Sequence, residues 1–358
     1  MWVRICAGPH SYPLFVHLIF QEKSMATKSH KPKFRLNPAA IGLMPSFILV
    51  FIFVYVFIAY TIRISLSKSW MPALQNFALP TPWYGTYHDL FTNYRFQADI
   101  RNTIIFTLFF LIISVVAGLF LAIAVSNMNR SRVFFRNLFI MPYAVSFIVT
   151  GVIWRWIFNP ISGVNLLFKY TGISGLYEKV FGSPLEPDWM TSGTVWGNMN
   201  GLLEHVIPGG NVIQAQMGIP IALLPVIFAA SWQLCGFAMA MFLAGLSAIP
   251  HELREAAAID RATGFRYYRS IAIPALVPMA VTCTVILTST SLKIFDLIYA
   301  MSGSGIGFAT DMPGIYVYET MYKALRYPLG ASASIFMLVL VCAVVLPYLL
   351  RFNKGTEE

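Results

Sequence analysis

EAAAIDRATGFRYYRSIAIP, Glu255 to Pro274, is charged at Glu255, Asp260, Arg261, Arg266 and Arg269, yet it lies between two runs apolar enough for lipid, at about 222 to 247 and 274 to 298. Pro250 suits a first helical turn, His251 to Ala262 is rich in helix formers, and Thr263-Gly264 supplies a stop through glycine's tolerance of left-handed backbone. A helix of that extent is roughly 18 Å long, too short to cross a bilayer. Ala256, Ala257 and Ala258 leave a stretch with almost no side chain, so a second surface can approach its backbone closely. Arg254, Glu255 and Asp260 stand ready for polar contacts around that smooth patch. Phe265 and Tyr268 among Arg266 and Arg269 suit an elbow at the membrane surface, and Pro274 opens the next apolar run. The alternative is an amphipathic helix resting on lipid headgroups.

The rest of the chain places this segment. Of 358 residues, 57% are hydrophobic and only 11% charged, against about 25% charged in soluble domains. The chain is therefore read as an all-α membrane protein. Six segments reach the roughly 20 apolar residues that a spanning helix needs: about 41 to 62, 102 to 126, 138 to 158, 222 to 247, 274 to 298 and 331 to 350. An even number puts both termini on one side. Fifteen of the 25 Lys and Arg fall in the tail before Ile41, the 127 to 137 loop, the 248 to 273 loop and the tail from Arg351, which marks those segments as cytoplasmic. The same asymmetry accounts for the net charge of +10; there is no basic patch interleaved with stacking aromatics, so nucleic acid is not an expected partner.

Domain organisation follows from the spans: a cytoplasmic tail over 1 to 40, a six-span domain over 41 to 350 with a long outer loop at 159 to 221, and a cytoplasmic tail over 351 to 358. Met25 opens MATKSHKPKFRLNP, a short basic tail, so residues 1 to 24 are expected to be an upstream extension. Trp189 and Trp196 in the outer loop read as membrane-interface anchors. Cys6, Cys235, Cys283 and Cys342 have no metal-ligand spacing and form no disulfide framework.

The charged inner loop resembles the signature of six-span permease subunits of binding-protein-dependent ABC importers, E-A-A-x3-G-x9-I-x-L-P. Glu255, Ala256, Ala257, Ile271 and Pro274 match it, Ile273 stands for the Leu, and Arg261 occupies the Gly position, with Gly264 three residues on. The resemblance implies a type I importer permease whose inner-loop helix is a coupling helix docking in a cleft of a nucleotide-binding subunit. Glu255, Ala256, Ala257, Asp260, Gly264 and Pro274 are its expected coupling residues. It further implies a second permease, two ATPase subunits that carry ATP and Mg, and an extracytoplasmic solute-binding protein, in a prokaryotic inner membrane. KIFDLIYAMSGSGIGFATDMPGIYVYETMY (293 to 322) and GASASIFMLVLV (330 to 341) look like the carbohydrate-uptake members. TGVIWRWIFNP (150 to 160) and GFAMAMFLAGL (236 to 246) are similar to permeases for glucose, mannose or small glucosides.

No G-x-x-x-x-G-K-[ST] loop is present to cradle nucleotide phosphates, and no H-E-x-x-H or G-x-S-x-G arrangement marks an enzyme. No cofactor is expected on this chain. For the cargo path, Thr282, Ser289, Lys293 and Asp296 fall within about 60° of one another at 100° per residue, a polar stripe along the fifth span. Lys293 and Asp296 either hydrogen-bond sugar hydroxyls or pair with each other to hold helices together. Trp232 and Gln233 offer a sugar an indole face beside an amide, or Trp232 is lipid-facing filler. Gly236, Ala240 and Ala244 suit close helix packing, and Trp154, Arg155 and Trp156 suit an interface anchor with a snorkelling Arg. The rival readings are an ABC permease for a non-sugar solute and an ion-coupled secondary transporter using Lys293 and Asp296 as a relay.

Overall fold

A computed structural model describes residues 38–74, 76–128, 130–181, 187–197, 200 and 214–354; the expected extension at 1 to 24, the rest of the N-terminal tail to Asn37 and the last four residues lie outside them. The chain divides into two units at Phe57 and Ile58. The first carries helix α1 (Pro38–Val50) and the π-helical turn Phe51–Val56. Its large apolar side chains from Phe47 to Phe57 stand exposed, a surface that suits lipid and not water. Counted through helix α2 (Phe57–Ser65), the apolar stretch Gly42–Ser65 is long enough to cross a membrane.

The second unit holds the other spans. Short helix α3 (Gly85–Thr92) leads into α4 (Tyr94–Ser126), which is 33 residues long and so reaches about 50 Å, well beyond the roughly 30 Å hydrocarbon layer. Helix α5 (Arg132–Ile140) and helix α6 (Phe147–Ile157) form a bent pair long and apolar enough to make one crossing together. Helix α7 (Leu223–Ala248) lies at the centre, followed by α8 (His251–Ile259). A helical elbow, Phe265 to Ala275, meets helix α9 (Val277–Leu292) at a 64° bend. Helices α10 (Asp296–Met301), α11 (Pro313–Tyr318) and α12 (Tyr327–Lys354) complete the described chain. Four helical stretches can cross a membrane unaided, and six if each bent pair is one crossing. The strand pairing among the described residues is a two-residue antiparallel one, β1 (Val195–Trp196) with β2 (Ile219–Pro220).

The core runs along α4 and α7. Phe106, Phe110, Ala122 and Val125 of α4 are buried in one cluster with Val226, Ala230, Leu234, Met239, Phe242 and Leu246 of α7. Lipid tails are as apolar as these side chains, so shape and close approach decide the pairing. Gly118 of α4 shows how close, since a Cβ there would press on Ala238 of α7, and Gly236 lets α7 approach α5 in the same way, its added Cβ colliding with the Phe139 carbonyl oxygen. The four-residue repeat it belongs to does not form one packed edge, because Ala244 is exposed.

Two spans differ from the continuous helices read from hydropathy. Residues 138 to 158 are broken by a 3-10 turn, Met141–Ala144, and by extended backbone at Val145 and Ser146, so α5 with its turn meets α6 at 95°. Residues 274 to 298 stop as a helix at Leu292 and restart at Asp296. A broken span leaves carbonyls that lipid cannot satisfy. Gln233 answers this at the first break, its Nε2 donating to the Val145 carbonyl at 2.7 Å. Gln233→Leu is expected to lower stability by about 1–3 kcal/mol through the orphaned carbonyl, read as a lower unfolding midpoint in detergent; an unchanged midpoint would show that the break is held by other contacts.

Candidate functional site

Two polar regions stand at opposite ends of α4. At its C-terminal end is the α8 elbow. Helix α8 ends at Ile259, three residues earlier than the sequence suggests, because Asp260 leaves helical geometry and Arg261 turns left-handed with φ 54°. Gly264 has φ 55° and ψ −128°, backbone that suits glycine, and starts the next helical segment instead of stopping α8. Pro250 is the residue before the helix, in extended geometry. The Arg261 conformation explains the permease signature: the position written Gly in that pattern is one where a side chain costs energy. Arg261→Gly is therefore expected to stabilise the elbow by about 1 kcal/mol, measured as a raised unfolding midpoint, where a lowered one would contradict the assigned turn.

The elbow is tied to the spans. Arg254 donates to the Tyr267 hydroxyl at 3.2 Å and to the Leu246 carbonyl at 3.2 Å, and the Tyr268 hydroxyl donates to Asn127 Oδ1, just past α4, at 2.8 Å. On the outer side of α8, Ala256 and Ala258 are exposed, as are Ile259 at 82% and Phe265 at 78%. Glu255 is exposed, with His251 Nδ1 at 3.2 Å. Ala257 is 3% exposed and faces inward, so the smooth patch consists of its two neighbours. Asp260 is exposed at the end of the helix, and Pro274 lies inside the elbow.

The expected cargo residues do not come together. Lys293 closes α9 with φ −116° and Asp296 begins α10, so the single-helix stripe ends where the helix does. No ion pair joins them among the described residues. The Ser289 hydroxyl bonds the Ile286 carbonyl, and Thr282 meets the Tyr348 hydroxyl at 2.9 Å. Gln233 points to the break at Val145, while Trp232 is 38% exposed with its ring against Trp154, centroids 5.5 Å apart. The indole and amide thus serve different faces. Trp189 is half-buried, donating to Asn165 Oδ1 at 2.8 Å, whereas Trp196 is exposed. Arg155 borders a polar cavity of about 480 Å³ with Asn159, Thr191, Ser302 and Ser304, a wetter setting than a lipid anchor requires.

At the N-terminal end of α4 lies a network that hydropathy missed. Asn93 caps the helix by accepting from the Arg95 N–H at 2.9 Å, so α4 begins eight residues before the expected span. Its first turns bury Gln97, Asp99, Arg101, Asn102 and Thr103. Arg95 donates to the Asp311 carboxylate and, at 2.6 Å, to Glu319 Oε2, which shares its other oxygen with Lys323. The Arg95 guanidinium also lies over the rings of Phe308 and Tyr316. Asn102 Nδ2 donates to the carbonyls of Phe308 and Asp311 at 2.9 and 2.8 Å, and Arg101 reaches the Gln216 carbonyl at 2.6 Å. These bonds fasten the turn 302–312 to the tip of α4.

A helical core with broken crossings and an exposed inter-span helix is the architecture of a transport permease. Residues 114–353 match the binding-protein-dependent transport system inner membrane component family, and the chain belongs to that family. It is 31% identical to a probable ABC transporter permease protein of Pyrococcus horikoshii, over 88% of this chain and 96% of that one. A xylose/arabinose import permease protein of Haloferax volcanii is 29% identical, over 77% and 78% of the two chains. The trehalose/maltose transport system permease protein MalF of Thermococcus litoralis is 25% identical, over 88% and 95%. The fold is also that of a chain in the crystal structure of a bacterial ABC transporter importing the acidic polysaccharide alginate, with a TM-score of 0.65, 18% identity and 88% and 95% coverage. The family is a transport family and not a catalytic one.

Proposed function

We propose that this chain is the sugar-translocating membrane subunit of an ATP-driven importer. It pairs with a second, related permease, receives a mono- or small oligosaccharide or glucoside from an extracytoplasmic solute-binding protein, and is driven by two separate ATPase subunits that hold ATP and Mg. The observation that carries the reading is the α8 elbow: a short helix with Ala256, Ala258 and Ile259 bare, hydrogen-bonded through Arg254 and Tyr268 to its own spans. Such a helix can transmit a push only if something grips it. The concentration of Lys and Arg in its loop supports a cytoplasmic location for it and for both termini.

The sugar assignment rests on the named substrates of the Haloferax and Thermococcus relatives and on the cavity beside Arg155, to which Thr191, Ser302 and Ser304 bring hydroxyls. Reconstitution of the whole complex with its binding protein tests it: a sugar should stimulate ATP hydrolysis, and stimulation confined to another solute class would transfer the assignment to that class. Uptake that follows an ion gradient without ATP would instead make the chain a secondary transporter.

A further inference from the structure

Asp99 is fully buried in α4, and among the described residues neither of its carboxylate oxygens has a hydrogen-bond donor. An isolated buried carboxylate is too costly to persist without compensation. Its neighbours do not supply it. Arg95 attracts Asp99 but donates to Asp311 and Glu319, and Arg101 attracts it but donates to Asn102 Oδ1 and the Gln216 carbonyl. Lys323 is taken by Glu319. Asp99 lies on the face of α4 from which Arg95 bonds the Asp311 carboxylate, Asn102 bonds the Asp311 carbonyl and Thr103 meets Met312, so its carboxyl is turned toward that of Asp311, also fully buried, with one oxygen on Arg95 and the other accepting from the Met312 N–H at 3.0 Å. Two ionised carboxylates offer each other only acceptors, so their contact requires a proton.

We propose that Asp99 and Asp311 share one proton, and that this proton is the ligand which fastens the 302–312 turn to the tip of α4. With it in place, Asp99 donates to Asp311 and the single charge left on the pair is matched by Arg95. Without it, two buried anions face each other across the joint between α4 and the turn, and the turn is pushed away. The other groups facing the pair do not titrate in its place. Glu319 is pushed upward by burial, but the hydrogen bonds from Lys323 and Arg95 outweigh this and hold it below its ordinary range. The Tyr316 phenol is raised to about 12, by burial first and by Asp99 second, and stays protonated. Burial pushes Asp311 above the ordinary carboxylate range, against the pull of Arg95. A raised folded-state value means a joint fully formed in acid and lost as pH climbs through that value. The turn is thus a proton-held latch on the end of the bundle opposite α8, and it stands whether or not the cargo is a sugar.

Infrared spectroscopy of the purified full chain in lipid nanodiscs, titrated upward from pH 5, tests the shared proton directly. The wild type is expected to show a protonated-carboxyl C=O band that bleaches as pH rises. Asp99→Asn should remove the band, since the amide donates permanently to Asp311, while Asp99→Glu should retain it at a shifted frequency. Maleimide labelling of Ser304→Cys, read against the parent chain, should quicken by ~tenfold across a pH unit around that transition and lose its pH dependence when combined with Asp99→Asn. A titrating band unchanged in Asp99→Asn, or no titrating carboxyl band in the wild type, overturns the proposal. A labelling profile that Asp99→Asn leaves pH-dependent overturns the latch even if the band behaves as expected.

Discussion

Glu255→Arg and Ala256→Asp are expected to leave the protein at its normal level in the membrane while solute uptake falls tenfold or more. Both side chains sit on the exposed surface of α8, and among the described residues the ion pair of Glu255 is with His251 one turn back. Their loss therefore costs the fold little. A surface that must fit into a cleft responds differently, because a reversed charge or a carboxylate on a bare backbone is left desolvated against the partner, and about 1.4 kcal/mol suffices for a tenfold loss. Ala257 is the wrong place for this experiment. It is buried, so Ala257→Asp would strain the chain itself and a loss of uptake would say nothing about docking. Substrate-stimulated ATP hydrolysis, measured beside uptake, separates uncoupling from a closed path.

Removing the cation of the opposite network has the largest expected effect on stability. Arg95→Met deprives Asp311 and Glu319 of a common partner and leaves the charge on the fully buried Asp99–Asp311 pair without its guanidinium. Breaking a buried ion pair on one side costs about 3–5 kcal/mol, and the loss of the guanidinium from the rings of Phe308 and Tyr316 adds to it. Adding Asp311→Leu to Arg95→Met should recover part of the loss, because two apolar side chains leave fewer unpaired charges than one. Unfolding midpoints of the two variants at constant pH decide the matter; equal midpoints for Arg95→Met and wild type would mean that the pairs are not formed.

The sequence was most legible where one local physical rule dominates. Hydropathy located the four helices long enough to cross a membrane and the two bent pairs that make six if each is one crossing, and alanines beside charges between two of these segments exposed α8 as a helix apart. It was least legible where a helix is interrupted in lipid. Nothing in the run from 138 to 158 looks less apolar than a continuous span, and the break at Val145 is held by Gln233, 88 residues away. The stripe through Ser289, Lys293 and Asp296 failed for the same reason, since a projection at 100° per residue assumes a helix that in fact ends at Leu292. The network around Asp99 lay beyond a hydropathy threshold, which trims polar turns from the ends of spans. Asn93, a good cap ahead of a helical pattern, was the available signal that α4 starts early. The Arg261 turn shows the converse, a departure from a familiar pattern that keeps its geometry at the expense of a strained backbone.

The central claim is that a motor made of other chains grips α8. Ile259, bare at the end of that helix, is the position from which to ask, with a photoactivatable cross-linker placed there in the intact complex within native membranes. Adducts joining this chain to a separate ATPase polypeptide are the expected result. Adducts with phospholipid alone, in a complex that still imports its solute, would contradict it.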